Sequence, residues 1–250
     1  MRNSEFLPTE PATADYVLSV LRDAYRHAER LDPEAEPDVE LTFASTVHEW
    51  REACDLVDWQ PLGHAMNRWF GIALPDSKWR AALHPSRSHT LREVCDLVAM
   101  HARRPIGAGG ASCEAGSTFI VLRTMLRQAG VPVADLTPST SLESVARRHL
   151  SQLLMVAGRL APGVIPTPRL QSDRRYDWAL NLVFSSMLGL LVAALVQAPS
   201  LIVPSVGAFL SGVAGTWVFS GLPLRSVDFG SVLTFRDFVE ATLAPASRAD

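Results

Sequence analysis

The chain has 250 residues, 48% of them hydrophobic, and a formal net charge of −3. That balance, without any Lys/Arg run, excludes a groove-binding nucleic-acid protein, and the length allows one large domain or a smaller one joined to a membrane part. The basic residues are 22 Arg and one lysine, Lys78, a bias that reflects genome composition more than chemistry.

The first ten residues, Met1 to Glu10, lack the apolar core of a secretory signal, so the soluble part is expected to stay where it is made. Residues 12–30 place Tyr16, Val17, Val20, Leu21, Ala24 and Ala28 at three-and-four spacing, which predicts a helix. An acidic, proline-bearing stretch over 32–38 ends it. Val39-Glu40-Leu41-Thr42-Phe43 alternates and reads as a short strand. Thr46-Val47-His48-Glu49 is a capping-box pattern opening a helix to about Val57. Asp58 caps the next helix, and Asp76 or Ser77 a short one carrying Trp79, Ala82 and Leu83. Thr90-Leu91-Arg92-Glu93 is a second capping box, followed by an apolar face to about His101.

A glycine-rich break, Pro105 to Gly110, precedes a helix capped by Ser112 and stopped by Gly130. Thr140-Ser141-Leu142-Glu143 is a third capping box and opens a helix to about Leu160. The Thr-led phrase returns once more at Thr234-Phe235-Arg236-Asp237, with little similarity around it, so no true repeat is read.

Residues 61–102 resemble the second half of an acyl carrier protein: a helix, the loop Phe70-Gly71-Ile72-Ala73-Leu74-Pro75, a short helix and a Thr90-led helix. The resemblance covers about a sixth of the chain. That family attaches its prosthetic group to the serine of an Asp-Ser-Leu motif. The corresponding position here is Asp58-Trp59-Gln60, so the resemblance implies an order of helices without the attachment chemistry.

From Trp178 to Leu224 the chain runs 47 residues without Asp, Glu, Lys, Arg or His. A spanning helix needs about 20 apolar residues to cross a hydrocarbon core of ~30 Å, so the run has room for two. Pro199 and Pro204 mark a reversal near its middle. Two spanning helices are therefore expected, near Trp178–Gln197 and Pro204–Leu222. Arg169, Arg174 and Arg175 lie before the pair and Arg225 and Arg236 after it, which places both termini in the cytoplasm. Ser185, Gly189 and Ala193, and likewise Gly207, Ser211 and Gly215, recur every fourth residue. These small residues predict two flat stripes through which the helices pack.

The expected fold is thus mainly α, a helical cytoplasmic domain followed by a two-helix transmembrane hairpin. Its expected parts are helical subdomains at 1–104 and 105–160, a Pro-rich linker at 161–177, the hairpin at 178–224 and a short cytoplasmic tail at 225–250.

No motif fixes a reaction. Cys113 is the single suggestive nucleophile, expected in the first turn of a helix, with His101 or His149 as a base. The blander reading, a partly buried cysteine after a linker, is preferred. Cys54, Cys95 and Cys113 are odd in number and form no CxxC pair, which argues against a disulfide framework. His48, His64, His84 and His89 lack the short ligand spacings of a zinc site, so no metal or cofactor is implied. Trp50, Trp59, Trp69 and Trp79 read as a shared aromatic core. The expectation is a membrane-anchored binding or adaptor module with the lipid bilayer and an unidentified protein as partners, and with the hairpin available for self-association. Its rivals are a pore-forming effector with a cytoplasmic sensor domain and a membrane-tethered cysteine-dependent enzyme.

Overall fold

The computed structural model describes residues 8–31, 35–55, 58–106, 114–171, 174–196, 202–219 and 224–244. The chain is mainly helical and divides into two compact units, residues 1–168 with 229–250, and residues 169–228.

In the first unit, β1 (Thr9–Pro11) leads into α1 (Ala14–Leu31). Thr13 Oγ1 accepts a hydrogen bond from Tyr16 N at 3.2 Å, satisfying one of the donors a helix start leaves free. Tyr16, Val17, Val20 and Leu21 are buried, as their spacing implies. Residues 39–42 form no strand. Arg22 Nε donates to Leu41 O, and Tyr25 Oη accepts from Val39 N, so side chains of α1 satisfy the backbone that a sheet partner would have paired.

α2 (Val47–Ala53) carries the full capping box, with Glu49 N donating to Thr46 Oγ1 and Thr46 N to Glu49 Oε2. α3 (Trp59–Phe70) is capped by Asp58 and stops at Gly71, which is left-handed at φ 65°. α4 (Asp76–Leu83) and α5 (Leu91–Ala99) follow, and β2 (Arg103–Pro105) closes antiparallel on β1 with Thr9 opposite Pro105. Thr90 is the N-cap of α5 but its hydroxyl does not cap, and Glu93 instead meets His89. The core packs α1 against α5 around the fully buried Trp50 and Trp79.

α6 (Glu114–Gln128) and α7 (Leu142–Leu160) come next. The N-cap of α7 is Ser141, one residue later than the third capping box predicts, because Thr140 Oγ1 accepts from Thr137 N instead. At His149 the backbone leaves helical values (φ −133°, ψ 36°), so α7 is two helices joined at a kink. β3 (Arg169–Gln171), α8 (Arg174–Val196), α9 (Ile202–Phe219) and β4 (Ser226–Asp228) form the second unit. The chain then rejoins the first unit with α10 (Phe235–Leu243), capped by a box of Thr234 and Asp237. Residues 229–244 are therefore no tail: Phe235, Phe238 and Val239 are buried, and α10 packs on α6. The expected linker is also partly structural, since Ile165 is buried and Arg26 donates to the carbonyls of Gly163 and Ile165.

The first unit is built twice from one backbone motif. Thr46 bridges Thr90, and Ser141 bridges Thr234, both antiparallel. Around the first bridge Val47 N donates to His89 O, Leu91 N to Ser45 O and Arg92 N to Phe43 O. Around the second Leu142 N donates to Leu233 O, Phe235 N to Thr140 O and Arg236 N to Pro138 O. Both motifs also share a turn, in which Ser45 N donates to Thr42 O and Thr140 N to Thr137 O. The hydroxyl of each turn's last residue accepts from the first, Thr42 N to Ser45 Oγ and Thr137 N to Thr140 Oγ1, both at 2.9 Å. Each half begins with a helix carrying Val-Leu-Arg, at 20–22 and 121–123, with the Val and Leu buried. Leu91, Val94 and Cys95 on α5 correspond to Phe235, Phe238 and Val239 on α10, and all six are buried. Where the first half has α4, the sequence of the second half carries the whole 169–228 unit. This corrects the reading of no repeat: the equivalent phrases are pairs, Thr46 with Thr90 and Ser141 with Thr234.

In the second unit α8 and α9 pack antiparallel as a helical hairpin, with Gly189 beside Ser205 and Gly212 beside Val183 and Ala179. β3 and β4 close its base, Arg169 opposite Asp228. The stretch Asp177–Val196 is one helix long and apolar enough to cross a membrane, and Ile202–Val218 is a shorter apolar helix.

Candidate functional site

The residues singled out by sequence fall into three groups. Cys113 and the glycine-rich break after Ile106 lie outside the described residues. His101 is exposed, with Nδ1 2.9 Å from Leu97 O on its own turn, and His149 sits half-buried at the kink of α7. Cys54 and Cys95 are free thiols, and burial pushes both up to about 12. At neutral pH neither is a thiolate, so neither is a nucleophile.

His48, His64 and His89 each meet one carboxylate, from Glu52, Asp76 and Glu93. Among the described residues no three His, Cys, Asp or Glu groups converge as a metal site. The four tryptophans pack on one core, Trp50 and Trp79 fully and Trp59 and Trp69 partly buried. Trp79 Nε1 donates to Asn67 Oδ1, which also accepts from Leu74 N, while Asn67 Nδ2 donates to Leu74 O. That one amide holds the loop after α3 and the indole of α4 together. Trp59 stands where the carrier-protein resemblance would require a serine, and it presents no hydroxyl for attachment.

In the hairpin, Gly189 lies at the crossing: a Cβ there would stand 2.8 Å from Ser205 Oγ. On α8 Ser186, rather than the exposed Ser185, is buried, and the side chain of Ala193 lies outside the described residues. On α9 Gly212 makes the closest approach, since a Cβ would stand 2.8 Å from Val183 Cγ2 and 3.1 Å from Ala179 O. Gly215 is half-buried, whereas Ser211 is exposed and Gly207 faces open space. The inward row on α9 thus runs through Ser205 and Gly212, a seven-residue step that a four-residue count does not find.

A cavity of about 180 Å³ lies where α1, α3 and α7 meet, so it sits between the two halves of the first unit. Val20, Ala24, Trp69, Leu154 and Met155 give it an apolar wall. Asp23, His27, Ser151 and Arg159 supply the polar groups. Asp23 and His27 are buried, at 4% and 5% exposure, one turn apart on α1. Asp23 is paired with Arg26 at 2.5 Å, and its Oδ2 rests on α7 where Gly158 leaves room: a Cβ there would stand 2.9 Å from it. His27 Nε2 is 3.7 Å from Asp23 Oδ2, too far for a hydrogen bond, and among the described residues neither ring nitrogen has a hydrogen-bond partner. Burial, opposed by Asp23 and reinforced by Arg26, lowers the imidazole pKa, so the ring is neutral.

Arg159 enters from α7. Tyr16 Oη donates to its backbone carbonyl at 2.6 Å, and its guanidinium lines the cavity with Nε buried and unpartnered. Among the described residues no carboxylate pairs with it. Sequence reasoning missed this cluster. The available signal was two ionisable residues four apart, Asp23 and His27, beside the apolar stripe of α1.

Comparison of the chain with family models, with curated proteins and with solved structures gave no match.

Proposed function

We propose that the protein is a membrane-anchored binding module. In this reading α8 and α9 span the bilayer twice, both termini are cytoplasmic, and the duplicated helical unit does the binding. The observation that carries it is the surface of the hairpin. Phe184, Met187, Leu188, Leu191 and Leu195 on α8, and Val203, Leu210, Val213 and Trp217 on α9, are exposed, Trp217 at 81%. A helix of a soluble core buries such residues, whereas lipid accepts them without cost. Arginines 169, 174, 175 and 225 flank the uncharged run on both sides, which favours cytoplasmic ends.

The pore-forming reading has less support. Ser186, Ser211 and Thr216 hydroxyls each donate to a carbonyl of their own helix, to Val183, Gly207 and Val213, so they form no polar track. The experiment is a pair of reporter fusions, at Met1 and Asp250, combined with alkaline carbonate extraction. Both reporters should read cytoplasmic and the protein should stay in the membrane pellet. Reporters on opposite sides, or release into the supernatant, would refute the reading.

A further inference from the structure

We propose that the cavity between α1, α3 and α7 binds a small monocarboxylate with an apolar body, of the size of one aromatic ring or a short branched chain. The inference concerns the helical unit alone and stands whether or not the hairpin spans a membrane.

Three observations fix the chemistry. The first is size: a cavity of roughly 150 Å³ accommodates benzene, so about 180 Å³ suits one ring and a small polar group. The second is charge. The polar end holds Asp23, Arg159 and a neutral His27, and Asp23 is already paired with Arg26, which lies outside the cavity wall. Arg159 is half-buried, meets the neutral Tyr16 hydroxyl and no carboxylate among the described residues, and its buried Nε has no hydrogen-bond partner. One ligand carboxylate balances its charge, and the planar guanidinium offers that carboxylate a forked donor set. The third is hydrogen bonding. His27 is 95% buried by its 5% exposure, has no partner on either ring nitrogen among the described residues, and lines the same cavity. Its ring N–H supplies a further donor to the carboxylate. Val20, Ala24, Trp69, Leu154 and Met155 then cover the apolar body.

The position between the halves gives binding a structural effect. Val20, Asp23 and His27 belong to the first half and Leu154, Met155 and Arg159 to the second, so a bound acid ties the two together. Ligand should therefore raise the melting temperature of the whole unit.

The test uses the full chain in a non-ionic detergent, with benzoate and 3-methylbutanoate as probes and the neutral isostere benzamide as control. Titration calorimetry and thermal shift report binding, and nuclear Overhauser contacts from the benzoate ring to Met155 and Trp69 report its place. Benzoate should bind and stabilise, and benzamide should bind at least about tenfold more weakly, because it offers Arg159 no charge. Arg159→Met should lose the same preference, and Ala24→Leu should block both probes by filling the wall. Equal affinity for benzoate and benzamide would overturn the proposal, as would the absence of any shift with either acid, which would mean that water alone fills the cavity. Binding of dodecanoate but not benzoate would overturn the size argument. The benzoate and benzamide comparison needs only the natural chain, so it decides the matter even if a variant fails to fold.

Discussion

Gly63 shows how tightly a single position in the first half is set. A Cβ built there would stand 2.6 Å from Cγ of Trp79, an indole with no exposure of its own. The ring is also tied by Nε1 to Asn67, one turn further along the same helix, so it cannot retreat from α3 without breaking that bond. Gly63→Ala should destabilise the unit by about 1–3 kcal/mol, the usual cost of overpacking a core. Chemical denaturation of the variant checks this, and an unchanged midpoint would show that Trp79 has room the structure does not give it. The two described thiols make a second residue-scale expectation. With both pushed up to about 12, roughly one molecule in ten thousand carries a thiolate at pH 8. Cys54 and Cys95 should resist thiol reagents in the native protein and react only on unfolding, and mass mapping of labelled sites would detect fast labelling that contradicts this. The sign for stability follows. Because the folded thiols hold their protons more tightly than unfolded ones, this contribution is intact below the ordinary value near 9. It is lost as pH rises from there toward 12.

At the scale of the element, the hairpin distinguishes two glycines that look alike in sequence. Gly212 faces the backbone of α8, with Ala179 O and Val183 N both within 3.1 Å of a built Cβ, whereas Gly207 meets nothing within 4 Å. Backbone cannot step aside as a side chain can, so Gly212→Leu should force the helices apart while Gly207→Leu is tolerated. Cysteine crosslinking between α8 and α9 in the full chain reads the difference. Equal loss of crosslinks in both variants would mean that the four-residue stripe through Gly207 is the contact after all. The helices themselves were legible: amphipathic spacing and caps place α1 and α5 within two residues of their observed ends and α3 at its Asp58 cap, since burial of one face decides them. Capping patterns were legible less evenly. Thr46 with Glu49 and Thr234 with Asp237 form boxes, but Glu93 is diverted to His89 and Thr140 to Thr137, partners that local sequence does not rank. The cavity was not legible. Its wall is assembled from α1, α3 and α7, whose lining residues run from Val20 to Arg159, and no periodicity links them.

At the scale of the whole molecule, the duplication escaped the sequence because a 60-residue unit, 169–228, is inserted between the partners of its second copy. Side chains differ at equivalent positions, Leu91 against Phe235 for instance, and the likeness lives in main-chain hydrogen bonds that any side chain permits. The architecture makes a direct prediction. Arg169 lies opposite Asp228 in the β3–β4 pair, so the chain leaves and returns at neighbouring points. Replacing residues 169–228 by a short Gly/Ser linker should leave a helical unit with a cooperative melt. Truncation at Pro168 should not, because it removes α10 and exposes the surface of α6 that Phe238 and Val239 cover. Circular dichroism and melting of the two variants decide between them. Two equally cooperative melts would show that α10 is dispensable.

The inserted hairpin also dictates an order of events during synthesis. The first half, through β2, has both sides of its own bridge as soon as it leaves the ribosome. The second half does not: the carbonyl of Leu233 and the amides of Phe235 and Arg236, which complete its bridge, are translated only after the whole apolar hairpin. Until then α6 and α7 wait with an open edge, and an exposed apolar surface is what folding factors and proteases recognise. Completion of the helical unit is therefore timed by synthesis of the hairpin. A chain whose hairpin stalls would be left half-folded and open to degradation, a form of quality control written into the topology itself.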